Sequence, residues 1–487
     1  MLIHIYKFTN TLINHDGVYN FYSDQNVVGS GRWFLSIACG ASSYFDLPCV
    51  IGLFSIIFIA ITTVVIVDIF RIENKFLIVL VSGLMVAFPG IIETFYFGFT
   101  ADGYMLAMVF AAFVVRLSLF EDKKKWHKVL AAILICLSCG IYQAYVSFAM
   151  VLALCYFATE LLERKRTVQE CAVWIKSQLL IYVGGLASYY IIWKICLLVQ
   201  NVQANSYQGI SEVGQMSIGL MVSAIVNTFR TWFFFILEWN VFEHGWTLYG
   251  VLNVVFLLVA GCTIVVVMKK SQLYREKVQF VFFVLCVLLM PFASCIWYFA
   301  SPSVVYRPMM LQSICVIYIW IAILFDRWIS ERYSTLAGLL MFVMVFHNSI
   351  QANIAYYHLD KCYEKSYATG LEMMSRIHLL DEGTIENIAI VGDISGEVCL
   401  GGEKKETRLQ LLGQLLEENL LFNQEHAYLY MENMFDLELE AVSQTELLVL
   451  EQDEAVREMA CWPHRDSVKV IDDTIVIKLS DERTLSE

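Results

Sequence analysis

Charge is what this sequence is short of. Only 16% of its 487 residues are Asp, Glu, Lys or Arg, against about a quarter in a soluble domain. That shortage excludes a large soluble enzyme. Close cysteine pairs are also missing. Most of the 14 cysteines sit in apolar runs, where Cys behaves as a small hydrophobe. The C-terminal region holds three, Cys362, Cys399 and Cys461. An odd, widely spaced set excludes a disulfide framework and a zinc site. A phosphate loop is lacking too: "VGDISGE" at 391–397 has neither the lysine nor the glycine spacing. Residues 1–13, "MLIHIYKFTNTLI", show no basic leader and no small-residue cleavage site. They are too short to span a bilayer, so they form a partial helix or stand where a first helix is missing.

What is present is apolar sequence in long runs, with a mean hydropathy of +0.62. Leu47–Val67, Phe76–Ile92, Val129–Thr159, Thr247–Met268, Val278–Tyr306 and Pro308–Phe325 carry no charge. A span needs about 20 apolar residues. The fold class is therefore an α-helical polytopic membrane protein, with about ten or eleven transmembrane helices.

Basic residues in short loops set the orientation. "RIENK" at 71–75, "EDKKKWHK" at 121–128, residues 161–176, "KKSQLYREK" at 269–277 and "DRWISER" at 326–332 hold 16 Lys and Arg between them. The opposite loops (14–48, 98–103, 200–216, 238–247 and 299–307) hold only Arg32 and Arg307. The basic loops belong in the cytoplasm. Spans follow near 50–70, 76–96, 104–120, 129–143, 145–160, 177–199, 247–268, 278–298, 308–325 and 334–350. The loops alternate only if 217–237 stays at the outer interface as an amphipathic helix with Arg230 at the water. Residues 129–142 make a helix of only about 21 Å, short of a hydrocarbon core of about 30 Å. "GIYQAY" at 140–145 thus turns the chain near the outer interface, and Gln143 at that depth needs a partner.

The net charge of −13 divides unevenly. Residues 1–359 hold 22 basic against 18 acidic side chains, and 360–487 hold 11 against 28. The shift sets a boundary: a transmembrane domain at 1–355, and an acidic α/β domain at 356–487 that the loop count places outside. In it, 361–379 and 406–421 read as helices and "NIAIVGD" at 387–393 as a buried strand. "SVKVIDDTIVIKLS" at 467–480 reads as a hairpin around Asp472-Asp473. Acidic charge argues against a nucleic-acid partner.

Ionisable residues gathered on one membrane face mark chemistry. On the outer face they are few, and the stretch "NHDGVYN" at 14–20, with "GSGRW" at 29–33, holds Asp16 and Arg32; Asp24 lies between. Glu93 follows seventeen uncharged residues and is a second candidate carboxylate. Asp102 is a third, although an Asp there also caps the N–H groups of a helix start. A general base must stand near the hydroxyl it deprotonates. A leaving phosphate needs cations, and Arg has the bidentate geometry for it. Arg32 and Arg307 are the outward candidates and Arg230 the third, with Tyr142 and Gln143 beside them as substrate contacts. Solvated loop carboxylates are the plain alternative for Asp16 and Asp24.

"HDG…GRW", "GIYQAY", "HNSIQANIAYYHLDKCYEKSYATGLEMMSRI", "NIAIVGD" and "CWPHRDSVKVIDDTIVIKLS", in this order, resemble the bacterial glucosyl transferase II family. These are Gtr-type membrane enzymes of O-antigen modification, and the likeness covers nearly the whole chain. It implies a GT-C-like architecture in the bacterial inner membrane, with an extracytoplasmic active site. It also implies a polyprenyl-phosphate glucose donor, a cell-surface glycan acceptor, and a donor synthase and small flippase as partners. Such enzymes use a carboxylate of the first outer loop as base, which carries over to Asp16 and less directly to Asp24. Where relatives have an acidic doublet, this chain has His15-Asp16, so Glu93 or Asp102 would supply the second carboxylate.

The expected reaction is an inverting displacement. Asp16 deprotonates an acceptor hydroxyl, and polyprenyl phosphate leaves against Arg32 or Arg307. No cofactor is required; Mg²⁺ or Mn²⁺ would suit open carboxylates, but no ligand spacing argues for one. A lipid or glycan transporter or flippase is the rival reading, but no internal repeat is evident. The charges inside spans are chiefly Arg116 and Lys194, and Lys194 can snorkel. A glycan polymerase would need an arginine-rich outer loop. A scaffold that binds through its acidic tail stays open.

Overall fold

The computed structural model of the protein describes residues 2–42, 44–119, 126–212, 217–237, 247–301, 303–329, 331–380, 385–394, 420–421 and 423–481. Two compact units emerge. The first comprises Met1–Phe8, Asp24–Phe95 and Thr100–Asn353; the second comprises Thr9–Ser23, Tyr96–Phe99 and Ile354–Glu487.

The apolar runs of the first unit form helices, because in lipid only intrahelical bonding satisfies every backbone group. They are α1 (Pro48–Phe70), α2 (Lys75–Ala87), α3 (Pro89–Phe97), α4 (Ala101–Ser118), α5 (Trp126–Ile141), α6 (Tyr145–Leu162), α7 (Val168–Gln200), α8 (Ile218–Leu237), α9 (Leu248–Ser271), α10 (Lys277–Ser294), α11 (Ser313–Trp328) and α12 (Glu331–Leu380). Among the described residues nine helices are long and apolar enough to cross a membrane, or up to ten with α2 and α3 taken as one bent span. The bend of 41° falls at Pro89, whose ring and missing N–H break the ladder of hydrogen bonds.

The buried helices are α4, α6 and α11, whereas α7 to α10 expose apolar side chains such as Leu180, Val183, Leu258 and Leu288. In a bilayer, lipid covers such faces. Where α1, α4, α6 and α11 carry their basic loops, acids and bases pair: Arg116 with Asp68, Arg327 with Glu163 at 2.6 Å, and Arg166 with Glu160 at 3.4 Å. Arg116 is therefore a partnered charge at a helix end.

Segment 217–237, expected as a helix at the outer interface, forms the 20-residue α8, which is long and apolar enough to cross a membrane. One element departs from the sequence map. The expected span at 334–350 and helix at 361–379 are one helix of 50 residues. No proline interrupts it, and its single interior break signal beyond 340, Gly370, is tolerated in a helix. Residues to 353 belong to the first unit and those from 354 to the second.

The second unit is built on a four-stranded sheet, β1 (Asn387–Val391), β2 (Glu440–Ala441), β3 (Val468–Ile471) and β4 (Thr474–Lys478), in the order β2-β1-β4-β3. β1 runs parallel to β2 and to β4, and β3 pairs antiparallel with β4. Asp472 and Asp473 turn the hairpin with φ of 45° and 62°, the left-handed pair a two-residue turn requires. Helices α13 (Gln424–Phe435) and α14 (Gln444–Leu450) pack on opposite faces. Ile388, Ile390, Ile475 and Ile477 meet Tyr430 and Met431 on one face, while Ala389, Val391 and Val476 meet Leu447, Val456 and Met459 on the other. With both faces covered, every residue of β4 is buried, as in parallel sheets generally. The expected helix at 406–421 lies outside the described residues up to 419, as do Glu238, Glu243 and His244 of the 238–247 loop and residues 395–397 of "VGDISGE".

Candidate active site

In the first unit the loop that carries "VVGSGRW" is fastened to the break between α5 and α6. Tyr142, Gln143 and Ala144 lie outside both helices, which frees backbone groups that the loop and its neighbours then use. The Phe34 N–H donates to the Gly140 carbonyl at 2.7 Å. Trp193 of α7 donates its indole N–H to the Val28 carbonyl at 2.8 Å, and Trp297 donates to the Gln143 carbonyl at 3.0 Å. Gln143 Nε2 donates to the Ser30 carbonyl at 2.8 Å and to Tyr189 Oη at 3.1 Å. These are the partners its depth demanded. Gly31 adopts φ +79°, and a Cβ there would fall 2.4 Å from Tyr189 Oη and 2.6 Å from Gln143 Nε2. Only glycine fits.

Arg32 follows directly. Its Nη1 donates to Tyr104 Oη at 2.9 Å, and its guanidinium carbon lies 4.9 Å from the Tyr142 ring centroid. Tyr104 and Tyr142 stack at 4.3 Å with planes 5° apart, so two rings on α4 and the α5–α6 break hold one cation. A guanidinium over an aromatic face gains about 0.5–2 kcal/mol and is only half-buried here. Tyr306 borders Tyr142 electrostatically, and its hydroxyl accepts the Trp297 N–H at 3.0 Å. Burial pushes the Tyr306 phenol well above its ordinary value, so it stays a neutral hydroxyl.

Glu93 is buried in α3, where its carboxylate accepts the Met309 N–H and feels the charge of Arg307. The pair ties α3 to the 307–311 segment that precedes α11. Asp102 is buried at the second position of α4; Oδ1 accepts the Gly103 N–H at 2.9 Å, and the Ser42 and Cys39 side chains face its carboxylate. That is the helix-start role together with a packed polar contact. Asp24 is exposed and closes a local turn by accepting the Asn26 N–H at 2.9 Å. Arg230 is exposed on α8, where its charge reaches Tyr298. The structure thus groups Arg32, Tyr142 and Gln143, seats Glu93 on the Met309 N–H within reach of the charge of Arg307, and gives Asp24, Asp102 and Arg230 the local contacts just described. Tyr104, Tyr189, Trp297 and Tyr306 were not legible as site residues. Aromatics at this density carry no local signal.

Asp16 belongs to the second unit. Its short helix, His15–Val18, is N-capped by Asn14, and Ile13 and Val18 are buried in the same core as β1 and α13. His15 Nε2 lies 3.2 Å from Asp16 Oδ1, whose side chain is 48% exposed. Tyr19 Oη is 3.3 Å from His426 Nδ1 and also bonds Glu425. Burial and the neighbouring His15 push His426 down to about 4, and burial with Glu425 pushes the Tyr19 phenol up. Among the described residues no group of three His, Cys, Asp or Glu is placed to hold a metal ion.

A family model, glucosyl transferase GtrII, matches residues 5–326. The chain belongs to that family. No curated protein and no solved structure matches it. The family region contains Arg32, the Tyr104–Tyr142 stack, Glu93 and Arg307, and it stops short of α12 and the sheet. This membrane protein is accordingly a glucosyltransferase.

Proposed function

We propose that this glucosyltransferase takes its sugar from a polyprenyl-phosphate donor and passes it to a cell-surface glycan on the outer side of a bacterial cytoplasmic membrane. The observation that carries the reading is Arg32, a cation braced by two stacked tyrosines on the face where the loops otherwise hold almost no basic residue. A leaving phosphate develops negative charge, and fixed donors there lower the barrier without reorganising. Arg307, whose charge reaches Glu93, is the second cation. Neither needs a nucleotide site.

Four carboxylates come into question: Asp16 and, less directly, Asp24 as the base, and Glu93 or Asp102 as a second acid. Glu93 is engaged by Met309 and Arg307, and Asp102 by its own helix start. We take as base Asp16, the first-outer-loop carboxylate to which the family resemblance points; His15 lies beside it and its side chain is accessible. It removes the proton of the acceptor hydroxyl; that oxygen bonds to the anomeric carbon as the bond to the phosphate oxygen breaks, with inversion.

The test is consumption of a radiolabelled polyprenyl-phosphate glucose by the protein in nanodiscs, with a glycan acceptor supplied. Transfer of label to the acceptor, lost in Asp16→Asn with normal insertion, supports the reading. Movement of intact donor across the bilayer without transfer would make it a transporter, and retained transfer in Asp16→Asn would remove Asp16 as base.

A further inference from the structure

The second unit contains a cleft of ≈320 Å³ at the carboxyl end of β1. Topology places it where open α/β sheets bind ligands: the parallel neighbours β1 and β2 are followed in the chain by α13 and α14, which pack on opposite faces of the sheet, so a crevice opens at the carboxyl ends of the two strands. Gly392 ends the strand at φ +78°, and a Cβ there would strike the Ser480 carbonyl at 2.2 Å.

The lining is unusual for a protein this apolar. Asp393, Glu425 and Glu451 bring carboxylates, Gln424 and Gln444 bring amides, and Tyr428 brings a ring. Gln424 Oε1 is buried with no hydrogen-bond partner among the described residues, and a buried acceptor is costly to leave unmade. Carboxylates accept hydroxyl protons strongly, amides both donate and accept, and an aromatic face suits a sugar's C–H surface. The carboxylates would repel phosphate or any other anion. The volume lies at the small end of ligand pockets, ~300–1,000 Å³, with room for a short saccharide. Glu425 also bonds Tyr19, three residues from Asp16.

We infer that this cleft binds a neutral saccharide segment of the acceptor. The assignment of that saccharide as the acceptor rests on the transferase reading above; the binding itself does not. The experiment uses the full chain in nanodiscs and saturation-transfer NMR with a panel of neutral gluco-, galacto- and manno-tetrasaccharides, and an oligogalacturonate as the anionic probe. At least one neutral probe should bind and the anionic one should not. Gln444→Leu, on an exposed rim position, and Glu451→Gln, which keeps its shape, should together weaken binding by about tenfold. Asp16→Asn should leave binding unchanged. No neutral probe binding, or full binding in the double variant, overturns the inference. Binding that persists in a protein unable to consume donor would overturn the transferase reading and leave the cleft intact.

Discussion

At the scale of single residues, the loop before α1 is held by interactions that tolerate little change. Gly31→Ala combines a left-handed backbone with a clash at Tyr189 Oη, so it should cost more than about 1 kcal/mol. Its melting temperature in detergent should fall together with transfer; an unchanged melting curve would mean the loop is loosely held. Arg32→Ala should lower kcat/KM by about 10²-fold, the usual loss on removing one charge-stabilising donor. Arg32→Lys should recover only part, since the charge remains but the fork that serves Tyr104 and a phosphate together is gone. Equal rates for the two variants would show that charge alone matters. His426 offers a pH test. Its folded value of about 4 lies below the ordinary 6.5, so the unfolded chain takes up the proton first. The stability it contributes is complete above about pH 6.5 and is lost as pH falls toward 4. Hydrogen exchange of α13 should quicken across that window in the wild type, and His426→Gln should flatten the response.

At the scale of elements, the sequence announces breaks better than it announces continuations. "GIYQAY" marks the α5–α6 turn and Asp472-Asp473 the hairpin through local chemistry, whereas the bend at Pro89 falls inside what reads as one span at 76–96. The 50-residue α12 was read as two pieces because its hydropathy falls after residue 350 while its helical backbone does not. Composition tracks environment, and backbone bonding need not change with it. The hairpin is open to a direct check. Asp473→Gly suits φ 62° and should keep or raise local stability by about 0.5 kcal/mol, whereas Asp473→Val should lower it by about 1–2 kcal/mol. Exchange rates of the Val470 and Ile475 amides report both.

At the scale of the molecule, the loop charges orient the chain, and α8 is where that argument bends. Single cysteines in a cysteine-free background, labelled by a membrane-impermeant maleimide, decide the sides. Lys123→Cys should label only after permeabilisation, and Ser303→Cys and Asp466→Cys in intact cells. Protection of Asp466→Cys in intact cells would place the second unit in the cytoplasm and make α8 a crossing helix.

By itself the sequence determined a polytopic helical protein, the basic and poor faces, a late acidic unit with a strand and a hairpin, and the residues of "GSGRW" and "GIYQAY" as worth watching. Those follow from periodicity, hydropathy and turn chemistry, which are local. Only the tertiary structure decided that Arg32 rests on the Tyr104–Tyr142 stack, that Glu93 serves the 307–311 segment, and that Ile13 and Val18, on either side of Asp16, are packed into the core of β1 and α13. Each of these joins residues between about 40 and 400 positions apart, and no local pattern encodes which distant side chains will meet once apolar faces are buried.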